Sequence, residues 1–233
     1  MAYLKRFDGR GWEDTRPMSA KVGVVPRADG SAMFQIGKTT AIAAVYGPRD
    51  LHPKFMQNPE TGILRCDYNM LPFSGHGDRV RPGGGRRARE IGMVMENAIL
   101  PVLDLRAFPN TVVDVFVDLP QTDAGTRCAA ITAAAMALAD AGIEMKDLPA
   151  AVAVGRVGDK FMVDLSYDEE AHEDGVADIP VAMLPRSGKV TLLQMDGDIT
   201  PDNLKKVLLM AHRAIVRINE VQRAALKERF GAK

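Results

Sequence analysis

Thr111-Val112-Val113-Asp114-Val115-Phe116-Val117-Asp118-Leu119 runs through Pro120 into Gln121-Thr122-Asp123-Ala124-Gly125-Thr126-Arg127, and an alanine-rich stretch continues to Gly142. In the first segment Val113, Val115 and Val117 share one face and Asp114, Phe116 and Asp118 the other, which predicts a strand. From about Asp123 to Ala141 the chain is apolar nearly all round, so a helix there is expected to be buried. Gly142 is placed to end it.

Upstream, Ser19–Val25 and Met33–Ile36 read as strands joined through Arg27-Ala28-Asp29-Gly30, since Asp-Gly tolerates the positive backbone angles of a hairpin. Thr39–Tyr46 reads as a buried strand, and Leu64–Leu71 as another after a long Pro-bearing loop, Gly47 to Gly62. That loop carries His52 and Lys54, which read either as ligand contacts or as ordinary polar residues. Gly83-Gly84-Gly85 opens a helix from about Arg86 to Leu103. Downstream, hairpins join Val152–Val157 to Phe161–Leu165 and Ile179–Leu184 to Val190–Met195. The last helix takes Thr200 as cap and Pro201 in its first turn, and runs toward Arg229. Its expected core face is Leu204, Val207, Leu208, Ala211, Ile215 and Ile218. Strand runs interleaved with helices give an α+β fold with a mixed or antiparallel sheet, expected as a single domain over residues 1–233.

The bulk properties fit that reading. The 233 residues are 46% hydrophobic and 26% charged, ordinary for a globular domain. Apolar runs fall short of a membrane span, and the N-terminus lacks a hydrophobic signal region. Cys66 and Cys128 are far apart and in no ligand spacing, and the four histidines are scattered, so reduced thiols, a cytoplasmic protein and no zinc site are expected. Formal net charge is zero, which excludes a general electrostatic attraction to nucleic acid and makes local charge more informative. Arg79, Arg81, Arg86, Arg87 and Arg89 crowd one stretch, whereas Asp164, Asp168, Glu169, Glu170, Glu173, Asp174 and Asp178 crowd another. Within the acidic run, Asp168, Glu169 and Glu173 read as a solvated face.

Gly125-Thr126-Arg127 lies where a strand gives way to a buried helix. The first N–H groups of a helix lack internal partners and carry partial positive charge, Gly125 allows close approach, and Arg127 can clamp oxygens with its planar fork. These features suit a bound phosphate. They suit equally an ordinary cap by Thr122 or Asp123 with Arg127 on the surface. Arg86 and Arg87 stand at the start of the other central helix, where cations oppose the dipole by roughly 0.3–1 kcal/mol each, so an external anion is expected there too.

The chain resembles the ribonuclease PH superfamily. The resemblance rests on Asp8-Gly9-Arg10, Arg16-Pro17, Gly30-Ser31-Ala32, Val45-Tyr46-Gly47-Pro48, Pro72-Phe73-Ser74, Arg86-Arg87-Ala88-Arg89-Glu90-Ile91, Gln121–Arg127 and Ala177-Asp178-Ile179-Pro180. Ala137–Ile143 and Leu192–Gly197 resemble most closely the catalytic ribonuclease PH-like subunits of archaeal exosomes, and the match runs from about Asp8 to Leu226.

This resemblance implies a ribonuclease PH-like fold with two central helices and a long C-terminal helix. It implies a 3′→5′ exoribonuclease that uses inorganic phosphate as co-substrate and releases nucleoside 5′-diphosphates from single-stranded RNA. It further implies a hexameric ring with a related inactive subunit, under a cap of RNA-binding subunits. By position, Gly125, Thr126 and Arg127 would hold the attacking phosphate, Arg86 and Arg87 the RNA backbone. Asp178 would be the catalytic carboxylate, acting as general acid or as a ligand for Mg²⁺. The family's second acidic residue stands six positions before that aspartate, where this chain has His172. The segment Tyr167 to Val176 is about two residues longer, which leaves Glu170 or Asp174 for the role. Two alternatives remain open at this level: a non-catalytic RNA-binding ring subunit, and a self-assembled ribonuclease PH that trims transfer RNA.

Overall fold

The computed structural model describes residues 3–76, 79–81, 85–173 and 175–231. Its strands are β1 (Met18–Val22), β2 (Gly30–Ile36), β3 (Thr39–Asp50), β4 (Ile63–Met70), β5 (Thr111–Gln121), β6 (Ala150–Val157), β7 (Lys160–Val163), β8 (Val176–Met183) and β9 (Val190–Leu193). The helices are α1 (Arg86–Ile99), α2 (Thr126–Asp140), α3 (Tyr167–Glu170) and α4 (Pro201–Arg229). One sheet has the order β1-β2-β3-β5-β4, antiparallel except for the parallel β4–β5 pair, which α1 connects as a crossover. The second, β7-β6-β8-β9, is antiparallel throughout. The architecture is thus α+β, with one mixed and one antiparallel sheet.

The alanine-rich helix is the centre of the molecule. One side of α2 packs on β2, β3 and β5, and another on β6 and β8 of the second sheet. Every residue from Cys128 to Leu138 is buried. Small side chains let both sheets approach, and a single hydrophobic core joins residues of both, Val115 and Ile131 to Val152 and Val181. Gly30 belongs to the same packing: a Cβ there would lie 2.2 Å from the Ala141 nitrogen, so β2 can pass the end of α2 only as glycine.

Several element ends differ from the sequence reading. The α1 helix stops at Ile99 because Pro101 cannot donate an N–H, and the chain tightens into a 3₁₀ turn over Leu100–Val102. Part of the expected long loop is strand: after a bulge past Tyr46, Arg49 and Asp50 pair with Val112 and Thr111. Three residues before its expected start at Ile179, β8 already pairs with β6 across Val176 and Val157. The α4 cap agrees with expectation, since the Thr200 hydroxyl accepts from the Asn203 N–H at 3.4 Å. Along α4, Val207, Ala211, Ile215 and Ile218 are buried, while Leu204 and Leu208 pack only partly against the core.

Candidate active site

The turn before α2 decides between the two readings of Gly125-Thr126-Arg127. Gly125 is the residue before the helix, at φ +62°, and Ala124 precedes it at φ +59°. Two successive left-handed residues hold the turn open, and only glycine takes up that geometry without strain. Neither expected cap caps the helix. Thr122 instead donates its hydroxyl to the Ser74 carbonyl at 3.0 Å, and the Asp123 carboxylate accepts the Tyr167 N–H at 3.3 Å. The first turn of α2 is therefore without a side-chain cap among the described residues, and its N–H groups and dipole face outward.

They face a cleft of about 240 Å³ whose walls include Arg87, Gly125, Thr126, Arg127, Glu170 and Asp178. Arg127 is half-buried rather than on the open surface. It donates to the Gln194 side chain, which in turn donates to Glu90 at 3.0 Å, and Glu90 stands 3.8 Å from Arg127. The paired arginines on α1 are both exposed, but Arg87 lines the cleft and Arg86 is outside its lining. The residue before α1, Gly85, also offers no side-chain cap. His52 and Lys54 lie on an exposed loop apart from this cleft.

The acidic wall comes from two elements. On β8, Asp178 and Pro180 share a face by the two-residue period of a strand, and both line the cleft. The Asp178 backbone exchanges two hydrogen bonds of 2.8 Å with Asp196, while its Oδ1 is buried without a partner among the described residues. Burial pushes the Asp178 carboxyl up to about 6, with the Asp196 charge adding and Arg127 opposing. Glu170, at the end of α3, is pushed up to about 7 by burial and by the charge of Asp178, against the Gly125 N–H, Arg16 and Arg87. Two carboxyls that both resist ionisation on one wall are the kind of pair that keeps a proton near neutral pH. His172 turns away from the cleft, its ring 5.0 Å from Tyr3 and 6.0 Å from Phe7. The other candidate for the second acid, Asp174, lies outside the described residues.

One expectation is corrected. Glu169, read as part of a solvated face, is buried at 1% exposure and accepts from Arg6 at 2.8 and 2.7 Å and from the Tyr3 hydroxyl at 2.8 Å. Burial raises its carboxyl, but the hydrogen bonds from Arg6 and the Ser166 N–H outweigh that and hold it below its ordinary value. Composition alone could not find this pair, because its members are 163 residues apart. Arg6, Arg16 and Asp164 were missed as a group for the same reason. The available signal was Asp8-Gly9-Arg10 and Arg16-Pro17, motifs without a chemistry of their own.

Residues 14–144 match the first domain of the 3′ exoribonuclease family, and residues 147–214 match its second domain. The chain belongs to this family. Among its relatives, the exosome complex component Rrp41 of Methanopyrus kandleri is 48% identical over 226 residues, covering 97% of this chain and 93% of the relative. The Rrp41 component of Thermococcus kodakarensis is also 48% identical, covering 97% of this chain and 90% of the relative. Rice (Oryza sativa) Rrp46 superposes with a TM-score of 0.83 at 25% identity, over 95% of this chain and all of that one (100%). A chain of the Archaeoglobus fulgidus exosome with RNA bound to the active site shares the fold, with a TM-score of 0.77 at 22% identity over 93% and 92% of the two chains. The ribonuclease PH-like fold implied by the motifs is therefore the fold of this chain. No helix among the described residues is long and apolar enough to cross a membrane.

Proposed function

We propose that the chain is the catalytic subunit of an exosome ring of the archaeal type, a 3′→5′ exoribonuclease that shortens single-stranded RNA by phosphorolysis in the cytoplasm. The observation that carries the reading is the composition of one cleft. An uncapped helix start with Arg127 and Arg87 stands there against the protonatable pair Glu170 and Asp178. Phosphorolysis brings an anion against an anion, and two unit charges 4 Å apart repel by about 4 kcal/mol at an effective dielectric of 20. Fixed positive groups on both partners offset this.

In this reading the Thr126 N–H and hydroxyl and Arg127 hold inorganic phosphate, and Gly125 allows its close approach. Arg87 in the cleft, with Arg86 outside it, holds the RNA backbone near its 3′ end. A phosphate oxygen attacks the terminal phosphorus and the bond to the preceding 3′ oxygen breaks. That oxygen takes a proton held by the Glu170–Asp178 pair, and a nucleoside 5′-diphosphate leaves. Glu170 serves as the second acid, supported by its place beside Asp178. The two carboxylates are hard oxygen donors and Asp178 has a buried unpartnered oxygen, so the wall also fits Mg²⁺, which would stabilise charge on the leaving oxygen. The partners are single-stranded RNA, a related inactive subunit completing a hexameric ring, and RNA-binding cap subunits.

The test uses the chain alone and assembled with its ring partner, given single-stranded RNA with and without phosphate. Diphosphate products that appear only with phosphate are expected. Monophosphates, or shortening indifferent to phosphate, would sink the mechanism. An assembled ring carrying Asp178→Ala with full activity would place catalysis elsewhere and favour a non-catalytic subunit. Activity of a homohexamer without partners would favour a self-assembled, transfer-RNA-trimming enzyme.

A further inference from the structure

The phosphate turn and the helix that delivers Glu170 belong to the two different family-model segments, and one buried side chain from a third place joins them. Arg16 is 5% exposed and lies outside the cleft lining. Its backbone N–H and Nε donate to Asp164 Oδ2 at 2.7 and 2.9 Å, and Nη2 donates to Asp164 Oδ1 at 2.7 Å. Nη1 donates to the Asp123 carbonyl and stands 3.6 Å from the Asp123 carboxylate. Both ends of this bridge are constrained. Asp164 sits at φ +57° in the turn that leads into α3, is 2% exposed, and also receives Arg10 at 3.3 Å. Asp123 opens the turn to Gly125, where an added Cβ would lie 3.6 Å from Arg16 Nη2, and its carboxylate accepts the first N–H of α3.

We infer that Arg16 is a positioning residue for the reaction, setting the phosphate turn Asp123–Gly125 at a fixed span from the α3 helix that carries Glu170. This rests on the phosphorolytic reading above. A planar guanidinium can hold three acceptors on two elements at once, which a lysine ammonium on a flexible stem does not do in the same geometry. Without it, Asp123 would lose the cation 3.6 Å from its carboxylate, and Asp164 would keep only Arg10, at 3.3 Å. Because attack starts from one element and proton donation from another, a shift of about 1 Å between them costs on the order of a hundredfold in turnover. RNA held from α1 is not affected by this span.

The experiment compares the assembled ring carrying wild-type chain, Arg16→Lys, Arg16→Gln and Asp123→Asn, in steady state, varying phosphate and RNA separately. Turnover is expected to fall about tenfold for Arg16→Lys and Asp123→Asn and about a hundredfold for Arg16→Gln. The KM for phosphate is expected to rise and that for RNA to stay within about twofold. Turnover unchanged in all three variants overturns the inference. So does a loss that tracks the melting midpoint and disappears on cooling, which assigns Arg16 to stability alone. If Arg16→Gln does not assemble, Arg16→Lys and Asp123→Asn are judged by the same criteria. A wild-type ring that needs no phosphate defeats the phosphorolytic reading itself. Silent variants beside a phosphate-dependent wild type defeat only the positioning role.

Discussion

Arg127 is held before any ligand arrives, because Gln194 and Glu90 fix its guanidinium at the mouth of an uncapped helix. Losing one fixed donor of this kind costs about 10²–10³ in turnover, so Arg127→Ala is expected to lower kcat by that order and weaken phosphate use. RNA retention measured without phosphate should change little. The acid wall sets a pH dependence. Glu170 ionises at about 7 in the fold against an ordinary 4.5, so between those values the folded chain binds more protons than the unfolded one. Stability from this group therefore falls as pH rises from 4.5 to about 7, whereas Glu169, held low, loses its contribution as pH falls. Activity should decline as pH rises past about 7, when the pair gives up its last proton. Glu170→Gln is expected to move that limb toward about 6, where Asp178 ionises; a pH profile of kcat checks it.

At the scale of elements, α3 shows how far short segments depend on distant partners. Ser166, just before it, and Glu169 within it make a capping box, each serving the other's backbone, yet a helix of four residues has little stability of its own. Arg6 and Tyr3 hold it down through Glu169. Glu169→Ala would leave the buried Arg6 charge unpaired, and breaking such a pair costs about 3–5 kcal/mol. A residue on a solvated face would cost within about 0.5 kcal/mol, so urea unfolding of the variant separates the two cases. Longer elements needed no such help. Strand β5 and helix α2 were legible because alternation and all-round apolarity repeat over many residues. The start of α2 was not, because Thr122 and Asp123 are good cap residues in any sequence, and here Ser74 and Tyr167 claim them.

At the scale of the whole molecule, the sequence showed an α+β chain, two helices and the anion-seeking turn, and the motifs showed the family. It did not show that the two sheets close on one helix, since that depends on strands far apart in the chain meeting opposite faces of α2. Nor did it single out Arg87 over Arg86, which differ only in the direction each takes from the first turn of α1. The shared core implies that the two family-model segments stand or fall together. A fragment of residues 1–145 would bare the face of α2 that β6 and β8 cover. It is expected to show weak near-ultraviolet dichroism and to bind a hydrophobic dye, and a tightly folded fragment would refute this.

The same placement of α2 has a consequence for the growing chain on the ribosome. The helix is complete at Asp140, but the strands that cover its second face are finished only at Met183. At about 5–20 residues per second, those 43 residues (183 − 140) take roughly 2–9 s to be made. For that interval the nascent protein presents an alanine-rich apolar face with nothing to cover it. A chaperone acting at the exit tunnel would find an apolar handle there.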